Sequence, residues 1–315
     1  MIDLQISNYP PPFIHLNGLK KQDIKPIDLA RGILTVGQGS WTDIFNLGIF
    51  RIAELICKAL AFSKIDNGNL VLQDRFFNLN QSEKVTISYY FGQGFTKLYS
   101  EKHFKTKWLF HVDDYISLIN IKSRGFAPSK IIVGKTKKTA RRPDLIGITR
   151  ANVSHIFEAK GYSCGYDLGV MQHAINQVSQ VTTYNGVAPK TRSACYFDLS
   201  SVPIRGIIID PENDGTGIDI NLNEELAISQ YYSFFKENRQ NFNNSFDYGK
   251  YEFLTTPVGV PNLFFGFDNR LLSMEPTELL LNDLYDEDFI NQPIVNSEFS
   301  EVSLGLDGLI LINRK

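Results

Sequence analysis

Apolar side chains recur at three- and four-residue steps in two long stretches of the chain, a spacing that predicts amphipathic helices. The first predicted helix covers about 42–63 and follows Ser40-Trp41-Thr42-Asp43, a segment that resembles a capping box with Asp in place of Glu. The second covers 167–184, and Gly186 is positioned to cap its C-terminal end. The apolar positions of the second helix are Leu168, Met171, Ile175, Val178 and Val181.

Short segments rich in β-branched and aromatic residues predict strands elsewhere in the chain. The two segments at 144–149 and 153–159 are separated only by Arg150-Ala151-Asn152, so we expect them to form a hairpin. Segment 108–119 is ambiguous between helix and strand. The other predicted strands are 70–72, 85–91, 130–133, 194–199, 204–210 and 308–313.

Two further helices are predicted, one over 223–238 with Asn223 as its N-cap and one over 277–289. The mixed order of helices and strands predicts an α/β fold in which a central mixed sheet is flanked by helices. The chain is expected to divide into an N-terminal extension, a core, and a C-terminal α/β layer or subdomain, at 1–40, 41–210 and 211–315.

The composition is that of an ordinary globular protein, since 43% of the 315 residues are hydrophobic and 21% are charged. No apolar run approaches the roughly 20 residues that would span a bilayer. Prolines at 10–12 interrupt the segment where a secretory signal would be apolar. The three cysteines are widely separated and include no CxxC pair, so neither a disulfide framework nor a structural zinc site is expected. We therefore expect no membrane association and a cytoplasmic location.

The net charge of -2 argues against strong unaided attraction to a polyanion, but the basic residues are unevenly distributed. Between 130 and 142 the chain carries six basic residues and no acidic one. This run predicts a contact with the backbone of a nucleic acid, and the alternative is an ordinary solvated linker. Its basic members are Lys130, Lys135, Lys137, Lys138, Arg141 and Arg142.

The predicted hairpin places two carboxylates and an ammonium close together. Glu158 follows Asp144 by fourteen positions, a spacing that can bring both to neighbouring places on adjacent strands. Lys160 lies two residues after Glu158 and therefore points to the same face of its strand. Carboxylate oxygens suit Mg²⁺ or Mn²⁺ better than zinc, and such a cation beside a lysine can support phosphodiester hydrolysis. The alternative is a solvated strand face with an incidental ion pair.

These residues resemble the motif of the PD-(D/E)xK nuclease superfamily, which has the restriction-endonuclease-like fold. The matching segments are Pro143-Asp144 and Glu158-Ala159-Lys160. The resemblance implies that Asp144 and Glu158 bind the metal, that the main-chain carbonyl of Ala159 is a further ligand, and that Lys160 is catalytic. It covers about 130–210, which would make 41–210 a nuclease core.

The predicted helix over 167–184 adds a second likeness. Gln180-Val181-Thr182-Thr183-Tyr184 is similar to the QxxxY element of RecB-like members of the superfamily. The resemblance implies a catalytic role for Gln180, while Gln177 and Tyr184 are candidates for nucleic-acid binding on the same polar helix face. The alternative is that this face is only the solvated side of an amphipathic helix. Glu54 is the available acidic residue on the earlier predicted helix, although its position opposite the apolar stripe favours solvent exposure.

The resemblance implies a metal-dependent endonuclease that acts on DNA in a bacterial restriction or phage-defence system. The alternative is a catalytically inactive nuclease fold used for nucleic-acid binding or complex assembly. Weak unaided DNA binding leads us to expect a homodimer or delivery by a helicase or recognition subunit. The aromatic residues at 231–235 and 264–267 are candidates for that partner surface, and the core is the alternative place for them.

Overall fold

A seven-stranded mixed sheet forms the centre of the computed structural model, which describes residues 1–36, 49–124, 142–151, 153–213, 215–286, 289 and 299–315. The described strands are β1 (Ile2–Ser7), β2 (Gly18–Gln22), β3 (Ser63–Asp66), β4 (Asn69–Leu72), β5 (Trp108–His111), β6 (Ile119–Arg124), β7 (Leu145–Arg150), β8 (Val153–Tyr162), β9 (Val181–Tyr184), β10 (Arg192–Asp198), β11 (Arg205–Ile209), β12 (Gly217–Leu222), β13 (Asn244–Tyr248), β14 (Tyr251–Pro257), β15 (Leu263–Asp268), β16 (Phe299–Leu304) and β17 (Leu309–Arg314). The described helices are α1 (Pro26–Thr35), α2 (Ile49–Phe62), α3 (Asp74–Phe77), α4 (Gln81–Phe104), α5 (Leu168–Ser179), α6 (Glu224–Glu237) and α7 (Pro276–Leu281).

The central sheet has the strand order β2-β1-β11-β10-β8-β7-β5. Strand β1 is parallel to β11 and β8 is parallel to β10, whereas the other neighbours are antiparallel. A three-stranded sheet (β6-β12-β9) and a five-stranded antiparallel sheet (β13-β14-β15-β17-β16) accompany it. The predicted α/β fold with a central mixed sheet flanked by helices is confirmed. Residues 2–22, within the predicted N-terminal extension, supply two strands of that sheet.

Helices cover the two faces of the sheet at β8. Helix α4 lies against the face that includes Gly161, where a Cβ atom would come within 1.9 Å of the Ser88 carbonyl oxygen. A Cβ atom on Gly92 would lie 2.4 Å from the Gly161 nitrogen, so both positions need glycine for the backbones to approach this closely. Helix α5 buries Met171, Ala174 and Val178 and packs on β8 and β10.

The C-terminal half of α4 carries charged residues that belong to a buried network. This network joins distant parts of the chain. Arg31 Nη2 lies 2.6 Å from Glu101 Oε2, and Lys97 Nζ lies 3.2 Å from Glu101 Oε1 and 3.1 Å from Asp307 Oδ2. Tyr231 donates a hydrogen bond of 3.0 Å to Asp307 Oδ2. Burial acts to raise the pKa of Glu101, but Arg31 and Lys97 outweigh it and hold that pKa below its ordinary value. Two cations and two carboxylates therefore balance in the interior.

The prediction of a strand over 85–91 is wrong, because these residues lie within α4. Val85, Ile87 and Phe91 match the composition of a strand. The helix begins where Asn80 accepts a hydrogen bond from the Glu83 nitrogen, and it is buried along most of its C-terminal half. A helix buried on most sides shows no single apolar stripe, so the three-and-four spacing that reveals amphipathic helices is absent.

The helix predicted over 167–184 is shorter than the spacing of its apolar residues indicated. Helix α5 ends at Ser179, and Val181–Tyr184 forms β9 beside β12. Pairing with a strand that is distant in sequence overrides the local apolar spacing. Gly186 therefore does not cap a helix: Asn185 and Gly186 have φ values of 47° and 80° and form a tight turn that joins Tyr184 to Val187.

The other predicted elements agree with the structure to different extents. The helix over 223–238 is confirmed, and Asn223 accepts a hydrogen bond of 3.0 Å from the Leu226 nitrogen. The helix predicted over 277–289 is confirmed as far as Leu281 and is wrong over 282–286, since Asn282 adopts an extended backbone and its carbonyl accepts a hydrogen bond from Lys107 Nζ. Residues 287 and 288 lie outside the described residues. Segment 108–119 contains β5 and a 3₁₀ turn. The strand over 130–133 and the start of the first helix lie outside the described residues.

Most of the aromatic side chains considered for a partner surface lie in the core, and Phe264 is partly buried against it. Each of the following is at most 4% exposed: Tyr231, Tyr232, Phe234, Phe235, Phe265 and Phe267. The exposed face that this expectation required is therefore not formed by these rings.

Among the described residues, none of the helices combines the length and the apolar character that crossing a membrane requires.

Candidate active site

The hairpin of β7 and β8 brings together the two carboxylates that the sequence predicted to be neighbours. Leu145 pairs with Phe157 across the two strands, which places Asp144 beside Glu158. The Asp144 nitrogen donates a hydrogen bond of 2.8 Å to Glu158 Oε2. The Ala159 nitrogen donates a hydrogen bond of 3.3 Å to Asp144 Oδ2, so Asp144 is bonded to two consecutive residues of β8. The predicted hairpin and the approach of its carboxylates are confirmed.

Lys160 lies between the two carboxylates. Its Nζ is 3.5 Å from Asp144 Oδ2 and forms an ion pair with Glu158 Oε1. The alternation of side chains along β8 gives Glu158 and Lys160 the same face, while Gly161 faces α4 on the other side. Three of the four predicted catalytic residues, Asp144, Glu158 and Lys160, therefore form one compact group.

Burial sets the electrostatics of this group. The Glu158 side chain is fully buried, whereas those of Asp144 and Lys160 are 22% and 28% exposed. Burial and the nearby charge of Asp144 raise the pKa of Glu158 to about 8, and Lys160 opposes that rise. Burial would lower the pKa of Lys160, but Asp144 and Glu158 outweigh it and raise that pKa. Because two carboxylates this close together repel each other, the site favours additional positive charge.

The donor set fits a hard divalent cation. Asp144 and Glu158 offer carboxylate oxygens, and Ala159 offers a main-chain carbonyl oxygen between Glu158 and Lys160. Oxygen donors of this kind match Mg²⁺ or Mn²⁺ rather than zinc. Within the part of the chain that the structure describes, no cluster of three or more His, Cys, Asp or Glu side chains is suited to hold a metal. The two carboxylates alone are thus a minimal site that relies on the carbonyl and on water.

Helix α4 carries two polar residues near the hairpin, Tyr89 and Gln93, that the sequence patterns did not reveal. The Tyr89 hydroxyl lies 3.2 Å from His111 Nε2, and His111 pairs with Leu145 at the start of β7. Tyr89 is 43% exposed, and partial burial together with the charge of Asp144 raises its pKa to about 12. Gln93, one helical turn further on, is 6% exposed. These residues were missed because 85–91 was interpreted as a strand, although the i, i+4 spacing of Tyr89 and Gln93 is the signal a helix would leave.

The polar residues predicted on α5 do not share one helix face. Gln177 does reach the site region, because its Nε2 donates a hydrogen bond of 3.0 Å to the Arg142 carbonyl, two residues before Asp144. Gln180 is the C-terminal cap of α5, and its carbonyl accepts a hydrogen bond from the Ile218 nitrogen. Tyr184 lies on β9 and is only 1% exposed, so the structure does not place it on a nucleic-acid-binding surface. The prediction that Gln180 and Tyr184 share one helix face is therefore wrong, because the chain leaves the helix at Gln180.

Most of the predicted basic contact lies outside the described residues. Lys130, Lys135, Lys137, Lys138 and Arg141 belong to that group. Arg142 is described, and its side chain is 43% exposed and forms an ion pair with Asp113. Glu54 forms ion pairs with Arg51 and Lys58 along its own helix and is half exposed. This agrees with the solvent-exposed position expected for it.

Comparison of the chain with protein-family models, with curated proteins and with solved structures finds no match.

Proposed function

We propose that this protein is a metal-dependent endonuclease, built on a restriction-endonuclease-like core, that hydrolyses phosphodiester bonds of DNA. The observation that carries the proposal is the group on the β7–β8 hairpin, where Asp144, Glu158 and Lys160 contact one another. Hairpin spacing, two neighbouring carboxylates and an adjacent ammonium support the resemblance to PD-(D/E)xK nucleases. A bacterial restriction or phage-defence setting is part of the same proposal.

The residues of the site have distinct roles in the proposed reaction. Asp144 and Glu158 would hold Mg²⁺ or Mn²⁺ together with the Ala159 carbonyl. The bound cation would lower the pKa of a water molecule and stabilise charge on the phosphate. Lys160, which is partly exposed, points its ammonium toward the same space and orients the attacking water or neutralises the transition state. Gln177 holds the segment before Asp144 through the Arg142 carbonyl and so helps to position the first carboxylate.

The proposed function predicts cleavage that depends strictly on an added divalent cation. Plasmid DNA incubated with the purified protein should be cut with Mg²⁺ or Mn²⁺ and should remain intact with a chelator, since two carboxylates and a carbonyl cannot activate water alone. Gel electrophoresis of the plasmid over time measures this. Binding without cleavage under every metal condition would instead support the inactive nucleic-acid-binding module.

Lys160 should contribute to the chemical step more than to binding. Lys160→Met keeps the aliphatic stem and removes the charge, and we expect kcat to fall by roughly a hundredfold with saturating metal because stabilisation of the developing charge is lost. Affinity for DNA should change little. Single-turnover cleavage and a binding titration measure the two effects separately. Lys64→Met, at an exposed lysine on β3, is the matched control. Equal losses in kcat and in binding would make Lys160 a phosphate anchor instead.

The partners proposed for this activity follow from charge. A chain with a net charge of -2 gains little from counterion release, which supplies much of the affinity of non-specific DNA binding. Delivery by a helicase or recognition subunit, or pairing as a homodimer, would compensate for weak binding. Such delivery would also restrain the nuclease within its own cell.

A further inference from the structure

Three tyrosine rings form a cluster at the end of β8, beside the candidate catalytic group. The ring centroids of Tyr162 and Tyr196 are 6.1 Å apart, and those of Tyr166 and Tyr196 are 5.4 Å apart with nearly perpendicular planes. We call Tyr162, Tyr166 and Tyr196 the tyrosine shelf. Tyr196 is fully buried, Tyr162 is half-buried and Tyr166 is 49% exposed. The shelf thus has a buried base and a partly exposed upper surface.

Strand register places the shelf on the same side of the sheet as the catalytic residues. Tyr196 on β10 is the direct partner of Lys160 on β8, so both side chains point to one face. Tyr162 lies two residues after Lys160 and points the same way. Adjacent strands are about 4.8 Å apart, and alternate residues on one strand are separated by roughly 6.6 Å. A ligand held at Lys160 can therefore reach the shelf without crossing to another face.

Hydrogen bonds hold the shelf in place. The Tyr196 hydroxyl donates to the Gly165 carbonyl at 2.6 Å and accepts from the Asp167 nitrogen at 3.0 Å. Asp167 in turn caps α5, because its Oδ1 accepts a hydrogen bond from the Val170 nitrogen. The loop that carries Tyr166 is therefore tied to β10 at one end and to α5 at the other. A fixed aromatic surface loses little conformational entropy when a planar ligand stacks on it.

The charges around the shelf favour a neutral occupant over a phosphate group. Asp198 is the cross-strand partner of Tyr162, and Asp167 follows Tyr166 directly. Two carboxylates at the edge of an aromatic surface repel a phosphodiester but leave the stacking of a nucleobase unaffected. The phosphate would instead lie at Lys160, where a cation and an ammonium attract it.

We propose that the tyrosine shelf stacks an unpaired nucleobase next to the scissile phosphate, so that the preferred substrate is single-stranded nucleic acid or a frayed end. This inference rests on the proposed nuclease function. A base inside a duplex already has its faces covered by its neighbours, whereas an unpaired base can stack on a tyrosine ring. The shelf therefore distinguishes strandedness and does not read sequence, because every base offers an aromatic face.

Binding of a fluorescent oligothymidylate in the presence of a chelator tests the shelf independently of cleavage. Tyr166→Leu should weaken this binding by roughly five- to a hundredfold, because stacking is lost while an apolar side chain remains. Tyr166→Phe should restore it, since the ring is retained. Phe77→Leu is the matched control, because Phe77 is 45% exposed and lies on α3, which contacts α2 rather than the hairpin. This control should bind as the wild type does.

Binding of a duplex, compared with binding of the single strand, and a stability measurement complete the test. The Tyr166→Leu variant should bind a blunt-ended duplex as the wild-type protein does, and its thermal unfolding should be unchanged. Unaltered oligothymidylate binding by this variant, or an equal loss for the duplex, would overturn the proposal. If Tyr166 governs single-strand binding while the wild-type protein cuts nothing with any metal, the shelf stands and the nuclease function fails. Metal-dependent cleavage by the wild-type protein, together with unchanged oligothymidylate binding by Tyr166→Leu, would support the nuclease function and refute the shelf.

Discussion

Glu158→Gln is expected to abolish metal-dependent cleavage while the protein remains folded. The substitution keeps the shape of the side chain but removes the charge that is proposed to hold the cation, and it replaces an acceptor that contacts Lys160 and the Asp144 nitrogen. Metal ions contribute several kcal/mol to the transition state, so the rate should fall by roughly a thousandfold. Asp144→Asn should act in the same way. Initial rates of plasmid cleavage at saturating Mg²⁺ provide the measurement, and circular dichroism checks the fold.

A carboxylate far from the hairpin supplies the control for this pair. Glu252 lies on β14 in the five-stranded sheet and is exposed, so Glu252→Gln should cleave at the wild-type rate. Calorimetric titration with Mn²⁺ adds a second readout, since both site variants should bind the metal more weakly than the wild type. A folded Glu158→Gln protein that cuts DNA at the normal rate would refute the metal assignment.

Gly161→Ala is expected to have the largest effect on stability. Its Cβ atom would lie 1.9 Å from the Ser88 carbonyl oxygen of α4, and a backbone atom within a buried helix cannot move aside as a side chain can. Overpacking of this kind costs typically 1–3 kcal/mol and occasionally more, and we expect a loss of about 3 kcal/mol or more in the free energy of unfolding. Urea denaturation followed by tryptophan fluorescence measures it.

Gly169 offers a matched glycine where the same substitution should be tolerated. A Cβ atom there meets only Asp167 Oδ1, at 3.2 Å, which would have to shift by only a few tenths of an ångström, and Gly169 lies in the first turn of α5. Gly169→Ala should leave the urea midpoint unchanged or raise it slightly, since alanine favours helix. If Gly161→Ala unfolds at the same urea concentration as the wild type, helix α4 does not lie as close to β8 as described.

The hairpin of β7 and β8 was predictable because its signals are local. Two β-branched segments, a three-residue turn and a fourteen-residue gap between Asp144 and Glu158 are all contained in one short stretch of sequence. Hairpin pairing needs no information from the rest of the chain. Side-chain alternation then gives the relation of Glu158 to Lys160. The roles of these residues in catalysis stay predictions.

The errors concern elements whose conformation is decided by distant contacts. Val85 to Phe91 has the composition of a strand, but packing against β8 and α1 holds it in a long helix. The apolar spacing of α5 continues through Val181, yet the chain turns to pair with β12. Local propensity is a weak guide where tertiary pairing decides the outcome. Both errors also affected the candidate site, since Tyr89 was not considered and Tyr184 is buried on β9 instead of exposed on a helix.

The tyrosine shelf could not be predicted from the sequence either, because it depends on contacts between distant residues. Tyr162 is close in sequence to Lys160, but Tyr196 belongs to another strand and becomes its neighbour only through parallel pairing of β8 with β10. No spacing in the sequence connects them. A motif that is short and local can therefore indicate a candidate site, while neighbours that other strands supply become visible only when the sheet is assembled.

The buried charge network has a consequence for the order in which the elements pack. Arg31, Lys97 and Glu101 lie on α1 and α4, whereas Asp307, which balances the second cation, lies between β16 and β17. Until Asp307 joins them, two cations share one carboxylate, and an interior of low polarity disfavours the surplus charge. We therefore expect helix α4, which supports the hairpin from behind, to reach its final packing only after the turn between β16 and β17 has docked.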